Sequence, residues 1–194
     1  MKLFLTTFVF LASSLGLAAT FQKSPSAPPA SNAVARAADA FHAGPEHARL
    51  QKLAGTWDAV VFTTDAQGAE QRTRGTLTTT AHTAFHTVDS FQGEFMGMPL
   101  IGHGMNGYCV ARKQYFTYWT DSMTTSPMTL YGNYDAAKHE LAMSGECFGM
   151  SGKLEPCRQV TRYTDDDHYT LSFFATGPDG KEKQCLRIEY TRKR

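Results

Sequence analysis

Charge of one sign is what this sequence lacks most. Its 194 residues carry 19 Lys and Arg against 18 Asp and Glu, for a formal net charge of +1, and only 19% of positions are charged. A near-neutral chain has no electrostatic footprint for nucleic acid, so none is expected as a partner. Nucleotide and acyl-transfer fingerprints are also missing: there is no Gly-x-Ser-x-Gly elbow, phosphate loop or dinucleotide motif. Cysteine is scarce, with four residues and no Cys-x-x-Cys pair or short Cys/His cluster at zinc spacing, so no metal site is expected. What is present is 42% hydrophobic and 12% aromatic residues, including 13 Phe and 8 Tyr, with 8 Met. That supports one folded domain with a substantial core.

The single apolar run lies at the start. Lys2 precedes apolar residues from Leu3 through Leu11, and small residues follow around Gly16 to Ala19. This reads as a secretory signal over residues 1–19, which places the mature protein in the periplasm or outside the cell. Interruptions at Thr6, Thr7, Ser13, Ser14 and Gly16 leave the run short of the roughly 20 apolar residues of a spanning helix. No stable membrane insertion is therefore expected after cleavage. Residues 20–43 contain eight Ala, three Ser and three Pro and read as a flexible linker. The folded unit is expected over residues 44–194.

That unit opens with a helix of about three turns. Gly44 and Pro45 start it, Glu46 sits near the positive end of its dipole, Leu50, Leu53 and Ala54 share a face, and Gly55 ends it. From Trp57 the hydrophobic period changes to two. Extended segments follow at Trp57–Phe62, Gln71–Thr80, Phe85–Phe91, Ile101–Val110, Tyr115–Thr120, Met128–Tyr134, Glu140–Phe148, Leu154–Tyr163, Tyr169–Ala175 and Glu182–Arg192, separated by turn clusters. About ten strands in hairpin sequence give an all-β, antiparallel up-and-down meander. Closing it into a barrel removes the edges and leaves room for a small ligand. Both strand faces carry polar and aromatic residues, which favours a barrel with a lumen over a solid sandwich.

Gly55-Thr56-Trp57 before the first strand, with Arg192 in the last, resembles the calycin pattern of lipocalins and their relatives. The segments GPEHARLQKLAGTW, GEFMGMPLIGHGMNGY, YWTDSMTTSPM, GNYDAAKHEL and DDDHYTLSFFATGPDGKEKQCLRIEYTRKR are similar, in order, to the blocks of the domain of unknown function 1579 family, which are small bacterial calycin-like proteins. The resemblance covers Gly44 to Arg194. It implies a lipocalin-like barrel, a Trp across its floor and a late Arg over that Trp; it implies no activity. Two departures stand out: Gly107-Tyr108-Cys109 replaces the family's Gly-Tyr-Asp, and Cys147 to Lys153 replaces an Asp-Pro-Met-Thr-Gly-Lys-like turn.

Four cysteines on an exported chain fit two disulfides. Three connectivities are open. The favoured one joins Cys147 to Cys157 across their turn and leaves Cys109 to reach Cys185. Among the seven histidines, His82 and His86 on one extended strand would lie about 13 Å apart, too far to share an ion unless a turn falls between them. His47, His139 and His168 read as surface residues, and no cofactor is expected.

The expected function is binding of a small, largely apolar ligand in the lumen. The candidate lining is Trp57, Phe85, Phe95, Met96, Met98, His103, Tyr118, Trp119 and Tyr131, with polar orientation from Asp121. Gly93–Pro99 is a candidate lid, because glycine tolerates changing dihedrals. Two alternatives stay open. One is a hydrolase or isomerase using His103 and Asp121 as an acid and base; the other is an envelope interaction or stress protein whose barrel is filled by its own side chains. The oligomeric state is not written in the sequence.

Overall fold

The computed structural model describes residues 40–65, 67–149, 151–177 and 180–194; the expected signal and nearly all of the linker lie outside them. The described chain begins with one helix, α1 (Pro45–Gln51), entered through an extended Gly44. Pro45 suits the first helical position because its fixed φ is helical and its missing N–H has no helical partner to lose. His47 caps this end: its Nδ1 accepts from the Gly44 N–H at 3.0 Å. Its Nε2 lies 3.2 Å from the Tyr108 carbonyl, and the ring is 3% exposed, so His47 is a buried link between helix and barrel and not the surface residue its position suggested. The helix is also shorter than three turns. After Gln51 the chain tightens into i→i+3 bonds, Leu53 N–H to Leu50 C=O and Ala54 N–H to Gln51 C=O, and Gly55 at φ 144° turns it into the sheet.

Ten strands follow: β1 (Gly55–Thr64), β2 (Glu70–Ala81), β3 (His86–Phe95), β4 (Met98–Cys109), β5 (Gln114–Asp121), β6 (Met128–Asp135), β7 (Glu140–Phe148), β8 (Leu154–Tyr163), β9 (His168–Thr176) and β10 (Glu182–Arg192). Each pairs antiparallel with the next, and β10 pairs with β1 from Trp57↔Arg192 to Phe62↔Arg187, closing the barrel. The expected all-β, up-and-down, ten-stranded barrel with a short N-terminal helix is the observed fold. Period-two alternation sends Trp57, Ala59, Val61, Leu77, Phe91, Tyr169, Ile188 and Tyr190 into one buried cluster. Leu50 of α1 packs with Tyr115, Leu130, Leu141 and Met143 in a second, so the helix closes one end of the barrel.

Three expectations are corrected here. Gly93–Pro99 is not a separate loop: Gly93 pairs with Leu100, Glu94 with Pro99 and Phe95 with Met98, leaving a two-residue turn in which Met96 (φ 53°) and Gly97 (φ 78°) are both left-handed. Positive φ at both positions matches the right-handed strand twist, so β3 and β4 run paired to their tip. The Cys109–Cys185 bridge is excluded by topology. Cys109 follows Tyr108 at the helix end of β4, whereas Cys185 lies in a β10 bulge seven residues before Arg192, about 23 Å along the strand at roughly 3.3 Å per residue. Cys147 and Cys157 do meet on adjacent strands, as hydrogen-bonded thiols, and all four cysteines are free. Burial pushes the thiols of Cys147, Cys157 and Cys185 upward, away from the reactive thiolate.

The barrel lumen as candidate functional site

The inward faces of the strands do not meet. They enclose a cavity of about 370 Å³, floored by Leu50 and Leu53 and rimmed at the other end by Phe95, Leu100, Met123 and Phe148. Its walls are mainly apolar and aromatic, with a few polar groups set among them: Thr79, Asp89, Asn106 and Thr117 on β2 to β5, and Gln159 and Thr161 on β8. Pockets of this kind hold small molecules by burying an apolar body and orienting it through a few polar contacts.

Asp89 is the centre of the polar set. Alternation places it inward, between the buried Thr87 and Phe91 of β3. The Thr79 hydroxyl donates to one carboxylate oxygen at 2.6 Å, and the Asn106 amide donates to the other at 2.8 Å. Burial raises the Asp89 pKa above the usual carboxylate value, and these two hydrogen bonds oppose the rise. The phenols of Tyr163, Tyr169 and Tyr190 share its surroundings, and burial pushes all three upward, so they remain neutral donors. Tyr169 and Tyr190 stack at 4.5 Å.

Trp119 is the best-positioned aromatic wall. On β4 the residue facing it across the ladder is Gly104, with Gly102 diagonal to it and opposite Asp121, both buried. A Cβ on Gly102 would lie 2.2 Å from the indole, and one on Gly104 would lie 3.0 Å from it, so the ring rests directly on bare backbone. Its Nε1–H donates to Asp121 at 2.9 Å. The other Asp121 oxygen accepts from the Met123 and Thr124 amides at 2.8 and 3.2 Å, which ties the ring's orientation to the β5–β6 turn.

Of the ten residues singled out in the sequence, the structure brings Phe95, Trp119 and Asp121 together on the lumen. Trp57 is 1% exposed and lies in the core near the helix end; its Nε1–H donates to the Leu53 carbonyl, and the Arg192 guanidinium lies 4.1 Å from its ring. Met98, paired with Phe95, and Met96 at the hairpin tip, 63% exposed, do not line the cavity. Phe85 lies in the β2–β3 turn against His47, outside the lumen. The lumen positions expected for His103, Tyr118 and Tyr131 are corrected by the pleat. His103 pairs with Ser90 and Thr120, Tyr118 with Met105, and Tyr131 with Phe116 and Ser144, all on the outer face. His103 and Asp121 are therefore on opposite sides of the sheet and cannot act as a catalytic pair. His82 and His86 flank the β2–β3 turn, yet among the described residues no group of three His, Cys, Asp or Glu can hold a metal ion.

Sequence reasoning missed Asp89, Asn106 and the tyrosines. A signal for the first was present: Thr87, Asp89 and Phe91 alternate on one strand face, and a carboxylate between two inward residues must point inward. The Gly-x-Gly at 102 and 104, opposite a tryptophan, was the corresponding signal for the indole bed.

The family model for Protein of unknown function (DUF1579) matches residues 42–192. Among solved structures, the crystal structure of Rv2717c from M. tuberculosis is 14% identical with a TM-score of 0.59, covering 79% of this chain and 100% of that one. The S-type phycobiliprotein lyase CPES from Guillardia theta is 8% identical with a TM-score of 0.54, covering 76% and 92%. At these identities the likenesses concern the fold alone. No curated protein matches the sequence.

Proposed function

Because the chain belongs to the DUF1579 family, whose function is unknown, its role has to be read from the lumen, and we propose that it binds a small, largely apolar molecule there. The observation that carries this reading is the cavity of about 370 Å³, which the barrel's own side chains leave unfilled. A filled barrel would serve the alternative of a pure interaction protein, and an acid–base pair in the lumen would serve the enzyme; His103 on the outer face removes that pair. The neighbours of the same fold support a barrel able to hold a small molecule and say nothing of which one.

The test is native mass spectrometry of the protein from its own source, followed by titration of tryptophan fluorescence in the wild type and in Trp119→Phe. A retained adduct, or quenching by one ligand class that is lost in Trp119→Phe, supports the reading. A clean apo mass with no quenching by any class of hydrophobic probe overturns it. The proposal includes export after cleavage near Ala19, and amino-terminal sequencing of the mature protein should start between Ala19 and Phe21. An intact Met1 in the purified native protein would sink that part.

A further inference from the structure

We propose that the molecule held in the lumen is a small organic cation, an apolar body carrying a protonated amine, and that Asp89 is the counter-charge that selects it. This rests on the lumen being a ligand site and names the chemical class of the occupant.

Asp89 is deep in the protein, yet its side chain still lines the cavity. Both carboxylate oxygens accept hydrogen bonds from neutral donors, the Thr79 hydroxyl and the Asn106 amide. When ionised, the carboxylate can accept both bonds, being acceptor-only at both oxygens. The phenols of Tyr163, Tyr169 and Tyr190 share its field; the Arg49 guanidinium is engaged with Tyr115 and Tyr134 at the helix end and also acts on Tyr163, and among the described residues no Lys, Arg or His forms an ion pair with Asp89 itself. A buried carboxylate without a counter-cation is costly, and buried charges elsewhere in proteins are paired. A cation entering the lumen supplies the missing partner. A carboxylate head would meet a like charge, and an alcohol would leave Asp89 as it was.

The second feature stands beside the first. A Cβ on Gly104 would touch the Trp119 indole at 3.0 Å and the Asp89 Cβ at 3.5 Å, so the indole and the Asp89 side chain flank the same glycine. An aromatic face next to a carboxylate is the arrangement that recognises organic ammonium groups, through ring quadrupole and charge together. Phe91 and Tyr115 extend the aromatic lining. Floor and rim are apolar, which leaves room for the hydrocarbon body.

Three probes with one chain and different heads decide the matter: decylammonium, decanol and decanoate, titrated calorimetrically into the full chain and into Asp89→Asn. In the wild type decylammonium should bind about tenfold or more tighter than decanol, with decanoate weakest. The preference for the amine should weaken as pH is lowered, because protonating Asp89 removes the charge that selects it. Asp89→Asn should erase the preference for the amine while decanol binds as before. Equal binding of all three heads to the wild type, or an amine preference that survives Asp89→Asn, overturns the inference and leaves the lumen reading standing. No binding of any probe overturns both. Should Asp89→Asn fail to fold, the wild-type head-group order and its loss at low pH decide alone.

Discussion

At the scale of single residues, Asp89 and the indole bed shape stability as well as recognition. Burial raises the folded-state pKa of Asp89, so the fold favours its neutral form. Its contribution to stability is fully present below the unfolded carboxyl's pKa of about 3.9 and is lost as pH rises through the folded value. Asp89→Asn keeps the shape and, by rotation of the Thr79 hydroxyl, both hydrogen bonds, but has nothing to titrate. The variant should therefore melt above the wild type at pH 7, with the gap narrowing towards pH 4; a gap that widens on acidification contradicts the assignment. The lowered carboxylates Asp65, Asp135, Asp165 and Glu182 titrate alike in both proteins and drop out of the difference. Under Trp119 the ordering of two alanine variants is fixed by distance. Gly102→Ala, with its Cβ 2.2 Å from the ring, should cost about 1–3 kcal/mol and shift tryptophan emission, whereas Gly104→Ala at 3.0 Å should do less of both. Equal effects in denaturant melts would mean that the indole does not rest where the geometry puts it.

At the scale of elements, the β3–β4 hairpin carries a local conflict. Met96 occupies the first left-handed position of a turn whose second residue is Gly97, where asparagine is the favoured residue. A non-glycine side chain in that region costs about 1–2 kcal/mol, and asparagine relieves most of it through local hydrogen bonding. Met96 is 63% exposed and loses little packing, so Met96→Asn should raise stability by about 1 kcal/mol in urea unfolding. A neutral or negative result would mean that the methionine makes contacts worth as much as the turn. The strands themselves were legible in the sequence, because turn clusters and period-two alternation mark them without reference to anything distant. Their faces were not. Tyr118 and Trp119 are neighbours on one strand, so only one of them can face the lumen. Hydrophobicity could not choose between them, because the outer face carries Ile101, Met105 and Tyr118 while the inner face carries Asp89, Asn106 and Gln159. In a barrel with a polar-studded lumen, inside and outside differ less in composition than in a solid core.

At the scale of the whole molecule, the decisive event is closure, the pairing of β1 with β10 across nearly the full length of the folded chain. No local pattern announces it; the number of hairpin-linked strands and the mixed character of both strand faces favoured it, and Gly55-Thr56-Trp57 together with Arg192 pointed to it through family resemblance. The structure shows what that arginine does. Its guanidinium donates to the Ala54 and Lys52 carbonyls, each at 2.8 Å, and to the Asp166 carbonyl at 3.1 Å. It also pairs with Asp167 at 3.2 Å and lies over Trp57. One side chain of the last strand thus holds the end of the helical turn, the entry to the first strand and the β8–β9 turn in one place. Gly55 is bare beneath it, since a Cβ there would lie 2.6 Å from the guanidinium. Charge-assisted hydrogen bonds contribute about 1.5–3 kcal/mol each, but water can replace part of them at a side chain 22% exposed, so Arg192→Ala should cost about 2–3 kcal/mol. Arg192→Lys should recover less than half of that, because a single ammonium cannot serve three carbonyls in divergent directions while stacking on an indole. The urea midpoint should fall with the slope unchanged, as the same surface is exposed on unfolding. Full rescue by lysine would reduce the seam to simple charge and leave closure to the β1–β10 ladder alone.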